Sequence, residues 1–134
     1  MVNLLKLTIA MIVAHLAVAT LHGVAHLILK VGLSQPQILF VFVVITAAPL
    51  AAGFLILKMH TRAGARLLSL SMLASMIFGV WNHYLVMSPD HVSQVAALPD
   101  RFWGEMFVWT SHLLALTEAS GVVLAGRILN TRPR

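Results

Sequence analysis

The sequence contains no cysteine, which excludes disulfide bonds, thiolate-bound zinc and iron–sulfur clusters. It is also poor in charge, because Asp, Glu, Lys and Arg make up only 10% of the 134 residues while hydrophobic residues make up 60%. The mean hydropathy is +0.93. Soluble domains carry about 25% charged residues, so this composition excludes the soluble globular class. The chain is expected to be a membrane protein.

Four apolar runs are long enough to cross about 30 Å of hydrocarbon at 1.5 Å per residue. Their approximate bounds are residues 4–29, 38–57, 67–87 and 102–124. Only short polar segments separate them, so almost every residue belongs to one bundle. The sequence therefore predicts an all-α, polytopic membrane protein with a single domain, residues 1–134, folded as an antiparallel four-helix transmembrane bundle.

Acidic residues are scarce, with four Asp and Glu against nine Lys and Arg. A basic excess can indicate nucleic-acid binding, but in a four-span topology most of these charges fall on one side of the membrane. That side carries Lys6, Lys58, Arg62, Arg66, Arg127, Arg132 and Arg134, and the other carries only Lys30 and Arg101. This positive-inside pattern predicts both termini in the cytoplasm, membrane lipid around the chain and no nucleic-acid partner.

The connection between the third and fourth runs opens with Ser88-Pro89-Asp90, which is typical of a helix start. The residues that follow, as far as Ala97, predict a short helix on the outer membrane surface between helices 3 and 4. This helix would partly cover the outer opening of the bundle.

Helix 2 contains Pro49 inside a run of small residues, 47–53. Small residues allow close helix packing. Because proline has no N–H, it leaves the carbonyl of Ile45 without its usual helical donor, so a kink is expected there. The small-residue surface also favours a homo-oligomer or a larger membrane complex.

Histidine is the abundant polar residue, with seven copies, three of them inside the first apolar run. At about 100° per residue, His15, His22 and His26 share one face of helix 1. An ionisable side chain in hydrocarbon costs free energy, so it normally faces the bundle interior, a partner or water. This face is therefore a candidate functional site.

Depth along the helices indicates which polar groups meet this face. Counting 1.5 Å per residue from the outer helix ends gives three layers. His26, His83 and Glu105 lie at a depth of roughly 5–8 Å, and His22 and His112 lie at roughly 12–15 Å. His15 and Glu118 lie at roughly 22–24 Å. Most of the polar side chains are therefore expected in the outer half of the bundle.

The first functional hypothesis is a transition-metal site in that outer half. His22 and His26 are spaced i, i+4, so one divalent ion can bridge their imidazoles. His83 and His112 come from two other helices at similar depth, and four nitrogen ligands suit Zn, Cu or Fe, for redox or metal-assisted chemistry. Extra ligands, or residues that orient the ligands, are expected among Glu105, Glu118, His15, Asn82 and His91.

The second hypothesis is a haem b held by two histidines from facing helices, as in a membrane cytochrome subunit that transfers electrons. His22 with His112 is the first pair of matching depth. His26 with His83 is the alternative pair.

Two further alternatives bind no cofactor. His15 and Glu118 can begin a titratable pathway for protons or a polar solute. Alternatively, the histidines hydrogen-bond across helices, and the protein is a non-catalytic accessory subunit of a larger membrane complex. For a site that opens outward, the expected small-molecule partner is lipophilic or periplasmic.

Overall fold

The computed structural model describes residues 2–131, which contain helices and no strand. Met1 and residues 132–134 lie outside this range, and with them Arg132 and Arg134 of the predicted cytoplasmic charges. The helices are α1 (Val2–Leu29), α2 (Gln35–Leu57), α3 (Thr61–Leu85), α4 (Val92–Ala96) and α5 (Arg101–Asn130). We call the end of the bundle at Lys30 and Asp90 the outer end.

Within residues 2–131, four helices are long and apolar enough to cross a membrane: α1, α2, α3 and α5. This confirms the predicted all-helical fold with four helices of membrane-spanning length and apolarity. The helices extend beyond the predicted spans, most clearly in α3, which begins at Thr61, and in α5, which continues to Asn130. The length of an apolar run reflects the thickness of the hydrocarbon layer, whereas the hydrogen-bonded helix continues into the polar residues on either side of the run.

The packing depends on small residues at two helix contacts. α5 packs against both α1 and α3, while α2 packs mainly on α3. A Cβ added at Gly64 of α3 would lie 2.7 Å from the carbonyl oxygen of Ala52 in α2, and one at Gly121 of α5 would lie 2.7 Å from Met72 in α3. The apolar core of the inner half, which includes Met72, Leu68 and Ala125, depends on these close approaches.

Two of the long helices contain a π-helical segment. In α2 it covers Val41–Ala47 and ends just before Pro49, where the sequence predicts a kink. In α3 it covers Trp81–Leu85 at the outer end. Each π-helical turn holds one residue more than an α-helical turn, and such segments occur frequently at functional sites.

The short helix α4 covers part of the outer end of α5. Val95 is fully buried and forms a second apolar core with Ala25, Val31 and Phe107. α4 approaches α5 closely, since a Cβ at Gly104 would lie 3.2 Å from the carbonyl oxygen of Val95. The helix begins at Val92, later than the predicted start at Ser88, and Asp90 is left free to turn inward.

Candidate functional site

Three imidazole rings from α1 and α3 lie in mutual contact below α4. The ring centroid of His22 lies 4.9 Å from that of His26 and 5.0 Å from that of His83. The centroids of His26 and His83 are 6.3 Å apart. The ring of Phe107 in α5 packs against all three at 4.5 to 5.4 Å. The structure therefore brings together three of the four predicted nitrogen ligands in a water-poor environment.

Asp90 reaches this group from the connection between α3 and α4. Its Oδ1 lies 3.3 Å from Nε2 of His26 and 3.4 Å from Nδ1 of His83. Only 5% of Asp90 is exposed, and neither carboxylate oxygen accepts a well-formed hydrogen bond. The sequence analysis assigns Asp90 only to the helix-start motif after α3. We call His22, His26, His83 and Asp90 the His–Asp cluster.

The hydrogen bond of His22 fixes its tautomer. Its Nδ1 lies 2.8 Å from Oγ1 of Thr110, whose own hydrogen is directed to the carbonyl oxygens of Met106 and Phe107. Thr110 therefore accepts, and Nδ1 of His22 carries the hydrogen. In the neutral ring, Nε2 then has a free lone pair, and this atom is buried without a partner.

His26 is fixed in the same tautomer by the end of its own helix. Lys30 adopts a left-handed conformation with φ of 55°, and the N–H of Val31 donates to the carbonyl of His26 at 3.0 Å. This turn brings the Val31 carbonyl within 3.0 Å of Nδ1 of His26. Because a carbonyl can only accept, Nδ1 donates, and the Nε2 lone pair of the neutral ring faces Asp90.

His83 has a different role in the cluster. Its Nδ1 donates to the backbone carbonyl of Asp90 at 3.0 Å and also lies near the carboxylate. His83 sits within the π-helical segment of α3, which positions its ring. Its contacts hold the Asp90 connection against the bundle.

The cluster therefore contains too many acceptors. Nε2 of a neutral His26 and Oδ1 of Asp90 both present lone pairs, yet they are 3.3 Å apart. A positive particle, either a proton or a metal ion, relieves this repulsion. As the side chains stand in residues 2–131, no three His, Asp or Glu groups are arranged to hold a metal ion.

A cavity of about 450 Å³ adjoins the cluster. It reaches from His26 and Asp90 at the outer end to Ser75 and Glu118 deeper in the bundle. The Ser75 hydroxyl donates a hydrogen bond to Glu118, and both residues are buried. Between these polar ends the wall is mainly apolar. Glu118, predicted as an extra ligand, thus lies at the inner end of the cavity.

His112 does not join the cluster, contrary to its predicted role as a ligand. It is exposed, and its Nδ1 donates to the carbonyl of Val108 at 2.7 Å. Thr110 faces His22, and two residues turn a helix by about 200°, so His112 points the other way. The predicted four-histidine set and the predicted haem pair of His22 and His112 are therefore not assembled.

Three further predicted residues have structural contacts elsewhere. Glu105 is exposed and pairs with Arg101 at 2.9 Å. Asn82 accepts a hydrogen bond from Gln37, which links α3 to α2. His91 caps α4 through Nδ1, which accepts from the Ser93 N–H at 3.2 Å. The amide nitrogen of Asn82 and Nε2 of His91 contact backbone carbonyls, those of Phe78 and Tyr84.

His15 is buried below the cluster and is fully hydrogen-bonded. Its Nε2 donates to the carbonyl of Ile45 at 3.1 Å, and its Nδ1 lies 3.3 Å from Oγ1 of Thr117. The Ile45 carbonyl is the one that Pro49 leaves without its usual helical donor. His15 therefore closes the gap that the proline opens in α2.

The second predicted haem pair, His26 and His83, leaves no space for a macrocycle. The rings of His22 and Phe107 each contact both members of the pair. A haem between His26 and His83 requires both of these rings to move.

Comparison of the chain with protein-family models, curated proteins and solved structures finds no match. Function is therefore argued from the site itself.

Proposed function

We propose that α1, α2, α3 and α5 cross the membrane as an antiparallel bundle with both termini in the cytoplasm and α4 at the outer surface. The charge distribution supports this orientation. Lys58 lies in the connection of α2 to α3, Arg62 and Arg66 lie in the first two turns of α3, and Arg127 lies near the end of α5, whereas Asp90 lies at the opposite end. Positive charges near membrane spans favour the cytoplasmic side.

In the outer half of this bundle, we propose a binding site for one transition-metal ion. The observation that carries the proposal is the 3.3 Å separation of His26 Nε2 and Asp90 Oδ1. Two ligand atoms at about 2.0–2.2 Å from a tetrahedral ion lie roughly that far apart. The two atoms therefore resemble one edge of a coordination shell.

His22 supplies the third ligand in this proposal, because its Nε2 is buried and unpartnered and its ring centroid lies 4.9 Å from that of His26. Since no three groups surround one point as they stand, metal binding draws His22 toward the His26–Asp90 edge. Thr110, Val31 and His83 hold the ligands through hydrogen bonds, as partners of metal ligands usually do. Two imidazoles and a carboxylate suit Zn or Fe, with a fourth position open toward the cavity.

The test is metal analysis by mass spectrometry of protein purified in mild detergent, without chelator and without a histidine tag. We expect near-stoichiometric metal in the wild type. In His26→Gln and Asp90→Asn we expect a much lower metal content, because loss of the ligand should weaken metal binding at least tenfold. His112→Gln is the matched control, because His112 is exposed and lies outside the cluster. Co²⁺ added to metal-free protein should give the visible bands of a tetrahedral complex.

Absence of bound metal together with absence of a Co²⁺ spectrum would overturn the proposal. The positive particle between His26 and Asp90 would then be a proton, and the accessory-subunit hypothesis would gain support. A Soret band in the same preparation would favour haem b instead. Equal metal content in His26→Gln and His112→Gln would refute the ligand assignment.

A further inference from the structure

We infer that the cavity beside the His–Asp cluster binds a lipophilic ring compound with a hydroxyl group at each end, of the quinol class. This goes beyond the proposed metal site and does not depend on it. The inference rests on the polar chemistry at the two ends of the cavity, on its apolar middle and on its open side.

The outer end of the cavity needs hydrogen-bond donors. His22 Nε2 and both carboxylate oxygens of Asp90 are buried acceptors without donors, and Oδ2 of Asp90 stays available when a metal ion takes His22 Nε2 and Oδ1. Buried polar groups normally find partners, and those left unpaired point to a missing ligand. A hydroxyl group satisfies such an acceptor, whereas a carboxylate or a ketone would add another acceptor.

The inner end offers a second hydrogen-bonding pair. Glu118 and Ser75 line the cavity at 3% and 1% exposure. Glu118 accepts from Ser75 and retains further acceptor capacity. His83 contacts both His22 and Asp90, and along α3 the distance from His83 to Ser75 is eight residues, or about 12 Å. A ring with two opposite hydroxyls and one hydrogen bond at each end spans a length of that order.

The middle of the cavity suits a flat apolar ring. Two glycines form part of its wall, and a Cβ added at Gly23 meets nothing within 4 Å, while one at Gly79 meets only His83, at 3.9 Å. The volume of about 450 Å³ is that of a small-ligand pocket.

The open side of the cavity lies between α1 and α2. Leu27 and Ile38 belong to its lining, yet they are 79% and 48% exposed. In a membrane this opening faces lipid, so the ligand enters from the bilayer. A sugar does not partition into the bilayer, and a fatty acid leaves one polar end of the cavity unpaired.

The experiment measures binding of 2-decylbenzene-1,4-diol to the purified, detergent-solubilised protein by calorimetry. Gly79→Leu fills the cavity and should weaken binding at least tenfold. Gly126→Leu is the matched control, since a Cβ there also meets nothing within 4 Å and Gly126 does not line the cavity. The dimethyl ether of the probe, which lacks both donors, should bind at least tenfold more weakly than the diol.

Equal binding of the diol and its ether, or equal binding by the two leucine variants, would overturn the inference. If Gly79→Leu does not fold, Gly23→Leu fills the same wall. Metal content is measured on the same samples, and Gly79→Leu should keep its metal. Diol binding without metal would refute the metal proposal alone, and metal without diol binding would refute this inference alone.

Discussion

His15 and His22 lie two turns apart on the same face of α1, and both are buried, but their ring nitrogens are treated differently. Both nitrogens of His15 have protein partners, Ile45 and Thr117. His22 has a partner for Nδ1 only. A buried polar atom without a partner costs about 1–3 kcal/mol. On one helix face, the deeper histidine thus links α1 to α2 and α5 through both ring nitrogens, whereas the outer histidine keeps one ring nitrogen unpaired.

When each histidine is replaced by phenylalanine, we expect the two variants to differ most in their metal affinity. His22→Phe removes a proposed ligand, so we expect at least a hundredfold weaker metal binding, measured by competition with a chelator. His15→Phe removes no ligand and should leave the metal affinity unchanged. Equal losses in both variants would show that the two layers do not differ in this way.

The order of effects should reverse when the stability of metal-free protein is measured. His15→Phe leaves the Ile45 carbonyl and the Thr117 hydroxyl without their partner, and we expect it to lower the free energy of unfolding by about 1–3 kcal/mol. His22→Phe removes an unpaired buried nitrogen, so its cost should be smaller. Unfolding in a denaturing detergent titration measures both. A larger loss for His22→Phe would contradict the assigned roles.

The smallest expected effect concerns the link between His15 and Pro49. Pro49→Ala restores an N–H that can donate to the Ile45 carbonyl, so the bond from His15 becomes partly redundant. In that background, His15→Phe should cost less by about 0.5–1.5 kcal/mol. A double-mutant cycle in the same unfolding assay measures this coupling. Strict additivity would show that His15 does not compensate for the proline.

The sequence predicts the four long helices well, because an apolar run of membrane length leaves few alternatives. It also predicts the shared face of His22 and His26, which follows from helical rotation alone. The prediction that His112 joins the site is wrong, because it used only the depth of the residue along the helix, which does not give the direction of the side chain. Asp90 is missed for another reason: it lies in a connection, whose path depends on contacts such as that with His83 rather than on periodicity.

The tautomers of the cluster could not be read from sequence either. They depend on single acceptors, the Thr110 hydroxyl and the Val31 carbonyl, whose positions depend on helix packing and on the left-handed turn at Lys30. The unpaired acceptors that carry both functional proposals therefore depend on tertiary contacts, which helical periodicity does not encode.

The π-helical segment at Val41–Ala47 divides α2 into two parts with separate tasks. The outer part carries Ile38 and Val41 of the cavity wall, and the inner part carries Ala52, which packs against Gly64. Deletion of one residue from a regular α-helix rotates the part of the helix after the deletion by about 100°, so the buried face of that part no longer points into the bundle. Here the wider turn holds one surplus residue, so a deletion within it leaves both faces in place. The length of α2 can therefore vary at this point while its two contacts remain aligned.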